Sequence, residues 1–150
     1  MATSADIGLP RRWVGVDYGK KRVGIAVADP LRMFAQPLGT YSQAEALERL
    51  REIDEADGLD LVVIGWPLMP DGEEGLATEL VAGYIKRISK VLPNSMIVKW
   101  DERYTSAVAA EKIREAGPNR KWRRNKGRVD SAAAALILQE YLDDPAAHPA

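Results

Sequence analysis

The stretch Trp13–Ala28 places the strongest constraint on the fold, because two apolar runs there flank a short polar turn. The runs Trp13–Val16 and Val23–Val27 are β-prone, and Gly19 lies in the turn between them. Glycine supplies the backbone freedom that a tight reversal needs, so the pattern predicts a β-hairpin. Asp17 lies where the first strand ends, and a carboxylate at a strand end must be solvated, hydrogen-bonded or bound to a cation.

The composition restricts both the class of protein and its chemistry. A chain of 150 residues, 46% of them hydrophobic, fits one domain with a core. No apolar run approaches the ~20 residues of a membrane span, and the N-terminus lacks the pattern of a secretory signal. The chain has no cysteine, and its single histidine is His148 in a Pro/Ala-rich tail. We therefore expect a cytoplasmic protein that does not bind membranes and whose chemistry rests on carboxylates, lysine, arginine, serine, threonine or tyrosine.

Hydrophobic periodicity predicts the element order β-β-β-α-β-α-β-α-α. The predicted strands cover about 13–18, 22–28, 37–42, 61–64 and 96–100, and the helices about 43–57, 76–92, 105–116 and 130–142. Ser42 is the expected N-cap of the first helix, and Gly58 is expected to end it. Asp29, before a proline, is assigned to turn formation. We expect a disordered leader over 1–11, one domain over 12–142 and a flexible tail over 143–150.

This order predicts an α/β fold with a mixed five-stranded sheet and helices on both faces. The first three strands should form an antiparallel meander, with two parallel strands added beside the first. The apolar run Leu61–Ile64 is typical of a central parallel strand, and Gly65–Gly72 reads as a loop because it contains two prolines and two glycines. The layout brings the ends of the first and fifth strands close to the start of the last helix.

Carboxylates occupy these three places, at Asp17, at Asp101 and Glu102, and at Asp130. Carboxylates from separate elements suit a hard cation such as Mg²⁺ or Mn²⁺, and a pair of such ions can drive phosphodiester cleavage. Each position also has a structural interpretation: a turn at Asp17, a salt-bridge cluster at Asp101-Glu102-Arg103, and an N-cap at Asp130. Strand alternation puts Asp101 and Glu102 on opposite faces, so we favour Glu102 while both stay candidates.

A net charge of −1 conceals a dense basic segment over 119–128. The segment combines cations that pair with phosphate and an aromatic ring that can stack on a base; its alternative interpretation is a solvated charged surface. Its candidate contacts are Arg120, Lys121, Trp122, Arg123, Arg124, Lys126 and Arg128. Lys20, Lys21, Arg22 and Arg103 complete the expected nucleic-acid contacts.

Four motifs, spread over about 13–142, together resemble the YqgF/RuvX family of RNase H-like nucleases. They read Val16-Asp-Tyr-Gly-Lys-Lys-Arg-Val-Gly-Ile-Ala-Val, Gly65-Trp-Pro-Leu-Met-Pro-Asp-Gly-Glu-Glu-Gly, Asp101-Glu-Arg-Tyr-Thr-Ser and Asp130-Ser-Ala-Ala-Ala. The resemblance implies an RNase H fold and a metal-dependent site, with acids at Asp17, within Asp101-Glu102 and at Asp130. It also implies two Mg²⁺ or Mn²⁺ ions and a cytoplasmic role in 5′-end processing of precursor 16S rRNA, with ribosomal precursor particles as partners.

Four functions are weighed against one another. The first is a metal-dependent endonuclease on structured RNA, and the second is cleavage of four-way DNA junctions by the same site. The motifs do not choose the nucleic acid, because nothing in the chain specifically reads a 2′-hydroxyl. The third is a non-catalytic RNA-binding assembly factor. Under each of these functions the protein is expected to be a monomer or a homodimer. The fourth, an actin- or hexokinase-like phosphotransferase, is disfavoured because such sites lie between two domains.

Overall fold

A computed structural model describes residues 11–101 and 126–144, and its five strands form one mixed sheet. The strands are β1 (Arg12–Tyr18), β2 (Val23–Ala28), β3 (Ala35–Tyr41), β4 (Leu59–Trp66) and β5 (Met96–Asp101), in the order β3-β2-β1-β4-β5. β1, β2 and β3 form an antiparallel meander, while β4 and β5 run parallel to β1. The predicted mixed sheet is confirmed.

The helices of the described residues cover both faces of this sheet. They are α1 (Gln43–Asp57), α2 (Leu76–Val91) and α3 (Lys126–Asp143). On one face Val16 and Ile64 pack with side chains of α1 and α2, and on the other face Val63 packs with α3. Leu61–Ile64 is fully buried, as predicted for a central parallel strand. The predicted helix over 105–116 lies outside the described residues, and the limits proposed for the leader and the tail stay predictions.

The start of α1 confirms the predicted capping. The Ser42 hydroxyl accepts a hydrogen bond from the Glu45 amide at 3.2 Å, and the Glu45 carboxylate accepts one from the Ser42 amide at the same distance. Hydrogen bonding to the Glu45 carboxylate, first from the Ser42 side chain and then from the Ser42 amide, holds the pKa of Glu45 below its ordinary value. Gly58 ends the helix with a φ of 77°, a conformation that favours glycine.

Asp29 has the turn-forming role that the sequence indicates. Its carboxylate accepts hydrogen bonds from the amides of Phe34 at 2.6 Å, Met33 at 2.8 Å and Leu31 at 3.1 Å. These bonds, first that of Phe34, lower the pKa of Asp29. The carboxylate therefore organises the connection between β2 and β3.

Two strand limits predicted from the sequence were wrong. β3 begins at Ala35, two residues before the predicted start. β4 includes Gly65 and Trp66, which were expected to open a loop, because they continue the pairing with Trp100 and Asp101 of β5. Trp66 is 8% exposed in the core beneath α1 and α2, so it has a structural role.

The predicted start of the last helix was also wrong. α3 begins at Lys126 rather than near Asp130, so Lys126 and Arg128 belong to the helix instead of the predicted basic loop. The N-cap interpretation of Asp130 fails, because four helical residues precede it. Within residues 11–101 and 126–144, no helix is long and apolar enough to cross a membrane.

Helix α3 approaches the sheet closely at Gly15 of β1. A Cβ atom at this position would lie 2.6 Å from the Ala134 carbonyl oxygen and 2.8 Å from the Leu138 Cβ atom of α3. Real Cβ contacts are essentially never this short, so α3 packs directly on the backbone of β1. Further along the same helix, the Tyr141 ring lies 5.7 Å from the Trp13 ring.

Gly15→Ala should lower the free energy of unfolding by about 1–3 kcal/mol, because the added methyl group forces α3 away from β1. Urea denaturation measures this change. Gly83→Ala in α2 is the matched control: its Cβ would have nothing within 4 Å. That control should raise stability by about 0.5–1 kcal/mol through helix propensity. Equal stabilities for the two variants would contradict the close approach at Gly15.

Candidate functional site

Asp17 lies near the carboxyl end of β1, between glycines of both neighbouring strands. Asp17 pairs with Gly24 of β2. On the other side, Val16 pairs with Ile64 of β4, so the residue next to Ile64, Gly65, follows the same register beside Asp17. Asp17 is half-buried. The strand residue that pairs with Asp17 on β2 therefore has no side chain, and the residue after Ile64 on β4 has none either.

Alternation along β1 assigns Asp17 to the face covered by α3. Val14 and Val16 pack in the core of α1 and α2. Trp13 and Gly15, with the opposite alternation, contact α3. Successive side chains of a strand point to opposite faces, so Asp17 shares the face of Trp13 and Gly15.

The contacts of α3 show which part of the helix lies nearest to Asp17. Tyr141 contacts Trp13, and Ala134 contacts Gly15, so α3 runs antiparallel to β1. Asp130 is one helical turn before Ala134, and two strand residues rise about as far as four helix residues. The helical backbone at residue 130 is therefore expected at the level of Asp17. The side chain of Asp130 is outside the described part of the chain, and its role stays a prediction.

Asp101 belongs to the opposite face of the sheet. In β5, Ile97 packs against the core of α1 and α2, and the Lys99 ammonium group lies 4.1 Å from the centre of the Trp66 ring in that core. Trp100 packs on the α3 face. Asp101 shares the alternation of Ile97 and Lys99, so the strand directs it away from the face of Asp17.

Several of the predicted site residues fall outside the described part of the chain. These are Glu102, Arg103, Arg120, Lys121, Trp122, Arg123 and Arg124. Among the residues whose side chains the structure describes, 11–101 and 131–144, no group of three or more Asp, Glu, His or Cys residues could hold a metal ion. The metal roles of Asp17, Asp101, Glu102 and Asp130 therefore stay predictions.

The turn between β1 and β2 carries the predicted basic residues Lys20, Lys21 and Arg22, and the hairpin itself is confirmed. Lys20 and Lys21 are exposed, and Arg22 is half-buried. At Gly19, a Cβ atom would lie 2.6 Å from the Arg22 carbonyl oxygen, so the reversal requires a residue without a side chain. This explains the glycine in the first motif.

Gln43, the first residue of α1, contacts this turn, a role that the sequence analysis missed. Its side-chain Nε2 donates to the Lys20 carbonyl oxygen at 2.9 Å and to the Tyr18 hydroxyl at 3.2 Å. Its Oε1 accepts a hydrogen bond from Arg87 Nη1 of α2 at 3.0 Å. No local sequence signal indicates these contacts, because they join residues of three separate elements.

Tyr84 of α2 completes the support of Gln43. Its hydroxyl donates to the Gln43 carbonyl oxygen at 2.8 Å, and its ring centroid lies 5.0 Å from that of Tyr18. Burial raises the pKa of Tyr84 to about 12. The hydroxyl therefore stays protonated and keeps donating throughout the neutral pH range.

The difference in the free energy of unfolding between the wild type and Tyr84→Phe should decrease above pH 10. The folded state raises the Tyr84 pKa from 10.0 to about 12, so the associated stability is complete below pH 10 and is lost as the pH rises toward 12. Phenylalanine has no such titration. Thermal melting of both proteins across this pH range measures the difference, and a constant gap would contradict the assignment.

The fold places the chain in a known structural class. Thermus thermophilus RuvC in complex with a Holliday junction substrate superimposes with a TM-score of 0.53 at 13% identity, covering 84% of this chain and 90% of that one. A second Thermus thermophilus RuvC structure gives a TM-score of 0.51 at 12% identity, covering 84% and 92%. At this identity the likeness shows the fold alone, which is the RNase H-like fold expected from the sequence.

Sequence comparison then defines the family. The family model described as RuvX, Holliday junction resolvase, matches residues 11–144, and this chain belongs to that family. A relative from Salinibacter ruber is 52% identical over 132 residues, covering 88% of this chain and 92% of the relative. Another, from Chlorobaculum tepidum, is 41% identical over 133 residues, covering 89% and 94%. Both relatives are named as candidate pre-16S rRNA nucleases. The resemblance inferred from the four motifs is confirmed.

Proposed function

We propose that this protein is a metal-dependent nuclease that hydrolyses phosphodiester bonds in 5′-end processing of precursor 16S rRNA. The observation that carries the proposal is the position of Asp17, on the α3 face of β1 and between Gly24 and Gly65. Membership of the RuvX family and the names of the two relatives support it. A cytoplasmic location and ribosomal precursor particles as partners are part of the same proposal.

The donor chemistry of the chain fits a hard divalent cation. The chain has no cysteine and one histidine, so the available ligands are carboxylate oxygens, which suit Mg²⁺ or Mn²⁺. Asp17, Glu102 and Asp130 would hold the two proposed ions. When bound, such ions activate a water molecule for in-line attack and neutralise the leaving oxygen. Carboxylates brought together at such a site would repel one another without a cation.

The faces of β5 favour Glu102 over Asp101 as the acid of this site. Asp101 follows the alternation of Ile97 and Lys99, which contact the core on the opposite side from Asp17. Side chains two positions apart in a strand lie on the same face, and Trp100 packs on the α3 face. By the strand pattern, the position after Asp101 belongs to the same face as Trp100. Glu102 therefore has the sequence position that matches the face of Asp17.

Glu102→Gln should lower the cleavage rate by about 100-fold or more, because it removes a metal ligand, and even outer-shell partners of ligands are worth about 10–100-fold. Asp101→Asn is the matched control and should keep most of the activity. Single-turnover cleavage of a labelled substrate at saturating Mn²⁺ measures both variants. A loss confined to Asp101→Asn would reverse the assignment.

Cations around the site would position the sugar-phosphate backbone. Lys20 and Lys21 are exposed on the turn that follows Asp17, and the basic segment over 119–128 is also proposed to contact phosphates. Such contacts fix register and carry no sequence information. The substrate is therefore expected to be chosen by its shape.

Asp17→Asn should abolish metal-dependent cleavage while nucleic-acid binding is preserved or tightened, because the repulsion between the carboxylate and phosphate is removed. The assay compares labelled precursor rRNA with a four-way DNA junction, each with Mg²⁺ or Mn²⁺. Cleavage at the wild-type rate by the variant would remove Asp17 from the mechanism.

The same assay separates the proposed function from the two alternatives. Preferential cutting of the junction would establish a resolvase, the activity for which the family model is described. Tight RNA binding without any cutting by the wild type would favour a non-catalytic assembly factor. In that case Asp17→Asn would leave biological function intact, whereas the double variant Arg123→Ala/Arg124→Ala would abolish it.

A further inference from the structure

We infer that Gln43 and Arg87 extend the nucleic-acid-binding surface beyond the residues that the motifs identify. Gln43 is a positioning residue that fixes the basic turn over 19–22, and Arg87 is an additional phosphate contact beside that turn. The inference rests on the proposed function, since it takes a nucleic acid as the substrate. Gln43 belongs to α1 and Arg87 to α2, two helices in which the sequence predicts no nucleic-acid contact.

Both the nitrogen and the oxygen of the Gln43 side-chain amide form hydrogen bonds. Its nitrogen supplies two hydrogens, and the Lys20 carbonyl oxygen at 2.9 Å and the Tyr18 hydroxyl at 3.2 Å accept them. Its oxygen accepts from Arg87 at 3.0 Å. One amide group therefore joins the backbone of the basic turn to a guanidinium group of α2.

Gln43 is itself held in place before any substrate binds. Ser42 and Glu45 form the capping box that fixes the first turn of α1, with Gln43 immediately after the cap. The Gln43 carbonyl oxygen accepts the Tyr84 hydroxyl at 2.8 Å. Because its backbone is anchored in this way, the Gln43 side chain can order the turn in advance and reduce the entropy cost of binding.

The charges around Gln43 argue for an anionic ligand rather than a purely structural cluster. Arg11, Arg12, Arg49 and Arg51 each pair with a carboxylate. Among the described residues, no carboxylate lies within 4.0 Å of the charged nitrogens of Lys20, Lys21 or Arg87, all of which are exposed. Lys20 and Lys21 lie on the turn whose backbone Gln43 binds, and Arg87 binds the Gln43 side chain. Such a group of cations, with no acidic partner among the described residues, suits a phosphate backbone.

The orientation of the Arg87 guanidinium group is set by two contacts. Its guanidinium carbon lies 5.5 Å from the centre of the Tyr84 ring, and one of its nitrogens is bound to Gln43. The guanidinium group has five donors, and these contacts use one of them. The others are available to a phosphate oxygen.

The test measures binding in EDTA, so it does not depend on cleavage. Wild type and variants are titrated with a labelled RNA hairpin and a four-way DNA junction over a series of salt concentrations. Arg87→Ala should weaken binding and reduce the slope of log K against log salt by about 1, because one phosphate contact is lost. Arg87→Lys should keep the slope. Lys86→Ala, at an exposed neighbouring position of α2, is the control with equal loss of charge and should leave the slope unchanged.

Gln43→Ala and Gln43→Glu test the positioning role separately. Both remove the donors to the turn, while the glutamate can still accept from Arg87. Both should accelerate amide hydrogen exchange over residues 19–22, and Gln43→Ala should weaken binding by about 2–10-fold, the cost of ordering one or two groups.

The outcomes distinguish this inference from the proposed function. If the wild type binds and Arg87→Ala matches it in affinity and slope, Arg87 is not a phosphate contact and the nuclease proposal stands. Unchanged exchange of the turn in both Gln43 variants would overturn the positioning role. If the wild type binds neither nucleic acid, the proposed function fails together with Arg87's role, whereas the exchange experiment still decides the role of Gln43.

Discussion

The contact of α3 with the backbone of β1 at Gly15 is the interaction on which the rest of the architecture depends. The helix lies so close that Ala134 and Leu138 occupy the space of a β1 side chain. This contact covers one face of the sheet and sets the height of the helix above it. The height, in turn, decides how near the start of α3 can lie to Asp17. Packing in the core and geometry at the site are thus linked through one residue without a side chain.

The two faces of the sheet carry different residues. The face covered by α1 and α2 carries the larger described core, with Val16 and Ile64 at its centre. The face covered by α3 carries Asp17 and a row of glycines beside it. The basic turn, held by Gln43, follows Asp17 along the chain.

Much of the fold could be predicted from the sequence, and the failures have physical causes. The hairpin around Gly19, the cap at Ser42 and the buried strand at Leu61–Ile64 are local patterns, and all three are confirmed. Trp66 was misplaced because the prolines after it suggested a loop, whereas pairing with β5 extends the strand. The start of α3 was misplaced because Asp130-Ser131 resembles a cap, although the helix begins earlier. A motif was enough to propose Asp17 as a site residue, whereas the contacts of Gln43 could not be predicted, since its partners come from distant parts of the chain.

The aromatic contact between Trp13 and Tyr141 has a consequence for the far end of α3. In a helix, a slip of one residue moves every position by about 1.5 Å and turns it by about 100°. Tyr141 is seated between Trp13 and Trp100, with ring centroids at 5.7 and 5.8 Å, so such a slip would break two ring contacts at once. These ring contacts therefore fix the position of α3 along the sheet. Loss of the aromatic contacts is therefore expected to change the position of the other end of α3, where residue 130 lies.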